Sequence, residues 1–270
     1  MECELHKIEA ELCESHIIPK FVYDWMKKTG TGRFRRLGTL NSPIQDGIKK
    51  YMLCKDCEEK FSKYEKWFSE KVFNPYINNS ESVVKNENEL KYFVVSVLWR
   101  ILKLFKDDGN NYNFKIELNK AEIEWRKYLL NDIPISIHKN FHLILIDSDC
   151  WIEEKSDFYF TRAVDIEIAE NENLSFVYAK FSRFILIGEI IGFIESSFQN
   201  SNITIENEFR LSNQKINEPL IIEFFRSRVS NIKGFDDLSE KQKKKNTEYY
   251  KSKLDSLKET DYMRILKKYL

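Results

Sequence analysis

Cys3-Glu4-Leu5-His6 and, far along the chain, Leu53-Cys54-Lys55-Asp56-Cys57-Glu58 are the two stretches that decide how this sequence folds. Each places two ligands with two residues between them, a spacing that lets a tight knuckle aim both side chains at one ion. Together the pairs complete the closed, four-coordinate shell that structural zinc prefers. His6 suits that role because its neutral imidazole nitrogen is a good borderline ligand. Cys3, His6, Cys54 and Cys57 are therefore expected to hold Zn2+, an ion that contributes on the order of 10 kcal/mol to the folding of such modules. The 47 residues between the pairs exceed ordinary finger spacing, so they must fold as an insert of their own. Cys13 is either a substitute for Cys3 or His6 or a small buried apolar residue.

The 270 residues around these pairs suffice for one large domain or two small ones. With 42% apolar and 14% aromatic residues, the chain carries too much apolar surface to stay disordered. Its 8 Gly and 5 Pro are too few for a collagen-like or linker-dominated chain. Five cysteines, four of them before residue 58, do not make the dense framework of a small secreted scaffold. Met1-Glu2-Cys3-Glu4 is acidic and no apolar run follows, so no signal peptide is expected. The apolar stretches around Phe93–Phe105 and Phe184–Phe193 are too short or too interrupted to span a bilayer. A soluble, cytoplasmic protein without a membrane partner follows.

The 43 basic and 43 acidic residues cancel, which excludes a chain that coats nucleic acid by bulk charge. The cancellation hides unlike parts: net +2 over residues 1–80, −8 over 81–225 and +6 over 226–270. Three regions are expected to correspond to them: a zinc module at 1–78, an α+β body at 79–235 and a basic helical tail at 236–270. Asp147, Asp149, Glu153, Glu154, Asp157 and Asp165 make the body an acidic surface suited to a protein partner or to the tail.

Periodicity sketches the elements. Residues 1–21 read as a short hairpin or knuckle ending at Pro19, and Phe21–Lys28 as a short helix closed by Thr29-Gly30-Thr31-Gly32. Phe61, Tyr64, Trp67, Phe68 and Val72 recur at helical spacing over 56–73, with Asn74-Pro75 as the stop. Polar residues 78–88 read as a linker. Leu90–Leu104 is apolar on most sides and reads as a buried helix, followed by another at Leu118–Leu130. Phe141–Ile146, Phe158–Thr161, Ser175–Phe181 and Phe184–Ile187 are rich in β-branched and aromatic residues and read as strands. The last 35 residues read as helical, with Ser239 and Gln242 at capping-box spacing.

Between the two ligand pairs stands Ser15-His16-Ile17-Ile18-Pro19-Lys20-Phe21. A zinc knuckle, a His-Ile-x-Pro segment and a Leu-Cys-x2-Cys that opens a helix resemble the treble-clef zinc fold of HNH endonucleases. The resemblance implies that His16, at the end of a hairpin strand, is the general base that activates water against a phosphodiester. It also implies Mg2+ or Mn2+ beside that base, stabilising charge on the leaving oxygen. Asp46 and Glu58 are the foremost candidates to hold that ion, with Asn41 and Glu65 near them. The chain departs from the HNH pattern in having Ser15 before the base, no Asn shortly before Leu53, and Glu58 after the second knuckle. It is also similar to bacterial proteins that share Ser15 to Phe21, Gln45-Asp46-Gly47, Leu53 to Glu58, and a later Ser96-x-Leu98-Trp99-Arg100. Small HNH-like proteins with an added body occur in bacterial defence and mobile-element systems.

Residues 20–50 hold Lys20, Lys27, Lys28, Arg33, Arg35, Arg36, Lys49 and Lys50 against only Asp24 and Asp46. Such cations grip phosphates without reading sequence, and Lys20, Arg33, Arg35, Arg36, Lys49 and Lys50 are expected to bind nucleic acid. Arg100, on the buried helix, reads as an ion-pairing core residue whose partner is an acid from the strand region. His138 and His142 read as ordinary residues flanking a strand. Two functions fit this pattern: a metal-dependent endonuclease, or a non-catalytic zinc module that binds nucleic acid or a protein.

Overall fold

Strand β1, Leu12–His16, has no partner within the first 21 residues and pairs instead with β2, Lys49–Cys54, in an antiparallel ladder. The register slips between Cys13 and Glu14, so that Leu53 and Tyr51 are paired and Met52 is the extra residue of a bulge. Met52 gives its carbonyl to the Glu4 N–H at 2.8 Å, which ties the Cys3–His6 knuckle to β2. This computed structural model describes residues 1–30, 46–85, 87–131, 140–145, 157–203, 208–230 and 238–257, together with 260 and 263.

Helix α1, Lys20–Thr29, follows β1 and buries Val22, Tyr23 and Met26. Helix α2, Lys55–Phe68, grows directly out of β2 and buries Cys57, Phe61 and Phe68. The helical course does not stop at Asn74-Pro75. It passes through one π turn, Ser69–Phe73, into α3, Asn74–Asn79. Pro75 stands at the start of α3, directly after the π turn, where the regular i→i−4 ladder is already interrupted.

The polar stretch at 78–88 contains β3, Val83–Val84, and the start of α4, Glu87–Phe105. Helix α4 is buried over most of its length, as its all-round apolar sequence requires. It packs on α2, on α5, Lys115–Leu130, and on one face of a four-stranded sheet. The sheet order is β4-β7-β6-β5, all antiparallel, with β4 at Phe141–Leu145, β5 at Val164–Glu170, β6 at Ser175–Phe181 and β7 at Phe184–Ile191. Helix α6, Asp157–Arg162, stands where the aromatic run around Phe158 suggests a strand. The strand lies just beyond, in the alternating Val-Asp-Ile-Glu-Ile of β5. A run as short as Phe158–Thr161 carries no period that separates helix from strand.

Strand residues alternate between two cores, as a period of two dictates. Val177, Ala179, Phe181, Phe184 and Leu186 join α4 in one core, while Phe176, Tyr178, Ile185 and Ile187 belong to the other. Gly188 sits on the α4 side, where a Cβ would come within 2.6 Å of the Trp125 ring. The second core is covered by α7, Pro219–Ser230, through Ile221 and Phe225. Three two-residue strands complete the body: β8, Phe198–Gln199, β9, Phe209–Arg210, and β10, Lys215–Ile216. β8 pairs with β10, and β9 with β3. Helix α8, Glu240–Leu257, forms the polar tail.

The first core is continuous across residue 78. Cys3, Leu5, Val22, Met52 and Phe61 belong to the same buried cluster as Phe93, Trp99, Phe141 and Phe181. Phe68 stacks on Phe93 at 3.9 Å, and Phe21 meets Phe181 edge-on at 6.5 Å. The architecture is mixed α+β with a Cys/His cluster near its N-terminus. Among the described residues no helix is long and apolar enough to cross a membrane.

Candidate metal centre and histidine site

The two knuckles meet where the local structure aims them. The Cys3 N–H and Ile8 carbonyl bond at 2.8 Å, as do the Lys7 N–H and Cys3 carbonyl, folding residues 3–8 into a tight turn with Lys7 at positive φ. Cys54 ends β2 and Cys57 lies in the first turn of α2. The ligand atoms of Cys3, His6, Cys54 and Cys57 all fall within 4.8 Å of one another. The Cys3 and Cys57 sulfurs are 3.8 Å apart, and His6 Nδ1 is 3.6 Å from the Cys54 sulfur and 3.2 Å from that of Cys57. Tetrahedral zinc with ordinary bond lengths requires edges of about 3.8 Å between sulfurs and about 3.6 Å from sulfur to nitrogen. The four residues thus lie close enough to hold one metal ion, and their spacing suits zinc.

The electrostatics agree. Burial would raise the Cys3 thiol, but the backbone N–H groups of His6, Cys54 and Leu5 draw it down. Cys57 is pushed up by burial and by the Cys54 and Cys3 sulfurs beside it. Three thiols this close resist ionising together unless a cation stands among them. Cys13 is half-buried and outside the cluster.

One strand residue past the bulge, the site changes character. Ser15 is buried and donates its hydroxyl proton to Glu58 Oε2 at 2.6 Å. His16, partly buried at the end of β1, places Nε2 3.2 Å from Asp46 Oδ2. A carboxylate only accepts, so Nε2 carries a proton, and in the neutral ring Nδ1 then keeps its lone pair; among the described residues Nδ1 has no hydrogen-bond partner. Lys49 lies 3.1 Å from Asp46 and 3.4 Å from Glu14. Partial burial would raise Asp46, but the Gly47 N–H, Lys49 and His16 hold its carboxyl at about 2. Gly47 is required beside it, because a Cβ there would overlap the Tyr23 ring, itself 6.2 Å from the His16 ring.

No protein-family model, curated protein or solved structure matches the chain. The site is therefore read from its own residues.

The structure brings His16 and Asp46 together and gives Glu58 a different partner in Ser15. Asp46 offers oxygen ligands, but the His16 nitrogen that faces it bears a proton, so the described residues alone do not complete an oxygen-rich shell for Mg2+ or Mn2+. Lys20 is exposed 3.8 Å from Asp24, and Lys50 is exposed on β2. Arg33, Arg35, Arg36 and Asn41 lie outside the described residues, as do Asp147, Asp149, Glu153, Glu154 and His138.

Two pairings escape the sequence reading. Arg100 finds its acid on α2 rather than on a strand: Nη1 lies 2.7 Å from Glu65 Oε1. The signal was present, since Glu58, Phe61 and Glu65 recur three and four apart and share the α2 face that meets α4. His142 has companions after all. Its Nε2 lies 2.9 Å from Glu189 Oε1 and its Nδ1 3.0 Å from the Ser201 hydroxyl. Asn140 Nδ2 donates to the other Glu189 oxygen.

Proposed function

We propose that the chain is an HNH-type endonuclease that hydrolyses phosphodiester bonds in nucleic acid, with the Cys3–His6–Cys54–Cys57 group as a structural zinc in a treble-clef-like module. The observation that carries this reading is the His16–Asp46 pair, with Nδ1 unpartnered among the described residues, held at the end of β1, the strand that pairs with the Cys54-bearing β2. Asp46 fixes the ring tautomer, and Nδ1 takes the proton of a water molecule as its oxygen bonds to phosphorus. The bond from phosphorus to the departing sugar oxygen breaks, and that oxygen acquires a proton from solvent. Mg2+ or Mn2+, when bound, supplies neutralisation of the charge on that oxygen. Asp46, ionised down to about pH 2, is the described residue suited to hold it. Lys20, Lys49 and Lys50, with Arg33, Arg35 and Arg36, would grip the backbone.

The test combines elemental analysis with cleavage of plasmid, single-stranded DNA and RNA in Mg2+ or Mn2+. One equivalent of zinc is expected, with cleavage that His16→Ala abolishes while zinc is retained. Binding without cleavage of any substrate would instead support a non-catalytic zinc module that binds nucleic acid or a protein. The Ser15–Glu58 bond favours that second reading, because it engages a carboxylate the first would give to an ion.

A further inference from the structure

Arg100 lies on α4, in the body, yet its Nη1 reaches the β1–β2 hairpin and α2. Nη1 donates to the His16 carbonyl at 2.7 Å and lies 2.7 Å from Glu65 on α2. Nε donates to the Ser96 carbonyl one turn back on α4, at 3.2 Å, and the guanidinium lies over the Phe61 ring at 5.4 Å. Three elements, β1, α2 and α4, therefore converge on one side chain that is 1% exposed.

A purely structural role accounts poorly for this. Burying a guanidinium and a carboxylate stabilises a core less well than apolar residues of the same volume. Among the described residues Nη2 is also buried without a hydrogen-bond partner, which adds a further desolvation cost. What an apolar replacement lacks is direction. The planar guanidinium fixes the carbonyl of the residue that carries the imidazole, at a set angle to the helix that carries Glu58 and Glu65.

We infer that Arg100 is a positioning residue for His16: the body helix sets the backbone of the base, so that Nε2 meets Asp46 and Nδ1 is left open. The inference deepens the endonuclease reading and rests on it for its kinetic consequence alone. The body is then part of the site, and it offers a route by which a change in α4 would switch the hairpin's histidine.

The test uses the full chain with 15N-labelled histidine, which has only 4 imidazoles to assign. The unaltered protein is expected to show His16 as the Nε2–H tautomer. Arg100→Lys keeps the charge but loses the fork, and is expected to bind zinc normally while the His16 signals move towards a mixture of tautomers. Where cleavage is measured, kcat falls at least tenfold with KM unchanged within twofold. The double variant Arg100→Met/Glu65→Leu replaces the ion pair with apolar residues of similar size, which guards against simple misfolding. It too is expected to keep zinc and to lose the single tautomer. Unaltered His16 ring signals in either folded, zinc-bound variant overturn the inference, whatever the cleavage assay shows. Absence of cleavage by the unaltered protein, with shifted ring signals in the variants, would overturn the endonuclease reading and leave the positioning role standing.

Discussion

Two histidines of this protein face a carboxylate at almost the same distance, and their surroundings make them unlike. His16 Nε2 lies 3.2 Å from Asp46, and His142 Nε2 lies 2.9 Å from Glu189. The His16 side chain is 15% exposed and its Asp46 partner 30%, against 3% and 9% for the second pair. One nitrogen of His16 has no partner among the described residues, whereas both of His142 are taken, by Glu189 and Ser201. Phe198 stacks on the His142 ring at 3.8 Å and closes it from above. A general base needs a free lone pair that water can reach. A carboxylate neighbour alone therefore does not mark a catalytic histidine; the occupancy of the second nitrogen does. His142 instead joins β4 to β7 and to the segment at 201–203, whose Ser201 carbonyl and Ile203 N–H bond to β4.

Exchanging each histidine for alanine breaks this contrast most sharply. If the endonuclease proposal holds, His16→Ala lowers cleavage by about 10²–10⁴-fold, the usual contribution of a general base, with little change in melting temperature. His142→Ala leaves Glu189 Oε1 buried without its imidazole donor, while Asn140 still serves Oε2, and is expected to cost about 1–3 kcal/mol of stability. Cleavage per folded molecule should be unchanged. Parallel melts and cleavage rates on the two variants decide the matter, and a His142 variant that folds normally but fails to cleave would reverse the assignment.

A smaller effect follows from protonation. Burial pushes the His142 imidazole below its ordinary 6.5, although Glu189 works the other way. The folded state then holds this ring neutral while the unfolded chain takes up a proton, so stability is full above pH 6.5 and falls as the pH drops below it. Urea unfolding at pH 7.5 and 5.5 should show that loss. The same pair of measurements on His142→Gln should show less of it, since glutamine hydrogen-bonds without titrating.

The contrast between the histidines also shows what the sequence made legible. Cys3, His6, Cys54 and Cys57 were readable because knuckle spacing is local and the chemistry of the ligands is narrow. His16 stands out in the sequence by the residues around it, but its pairing with Asp46 spans a sequence separation of 30 and is fixed only when β1 and β2 align. Ser15 looked like a defect in a catalytic pattern, yet it is the donor that orients Glu58. The partners of His142 are 47 and 59 residues away and arrive through sheet register, which no local pattern encodes. Arg100 was rightly read as a buried ion-pairing residue, and its acid was sought in the wrong element. Helix α2 had the correct face for it, but choosing between a helix acid and a strand acid requires the α2–α4 packing itself. The strand at Val164–Glu170 is absent from the sequence reading, which places a strand on the aromatic run before it; the Val-Asp-Ile-Glu-Ile alternation is the signal that marks it.

The smallest expected effect isolates the electrostatics of the exposed pair. Asp46 titrates at about 2 in the folded chain against an ordinary 3.8: partial burial opposes the shift, and the Gly47 N–H, Lys49 and His16 impose it. A depressed carboxyl contributes stability that is present above pH 3.8 and lost as the pH falls from there towards 2. After screening by solvent around a partly exposed group, the contribution is about 1 kcal/mol. Asp46→Asn should remove that acid-dependent component, and 1 M salt should weaken it in the unaltered protein, because Lys49 is exposed. Neither salt nor Asp46→Asn should alter the stability loss below pH 6.5 assigned to His142, whose charge partner is buried. If both acid-dependent losses responded to salt alike, the two pairs would share one environment and the contrast between them would fail.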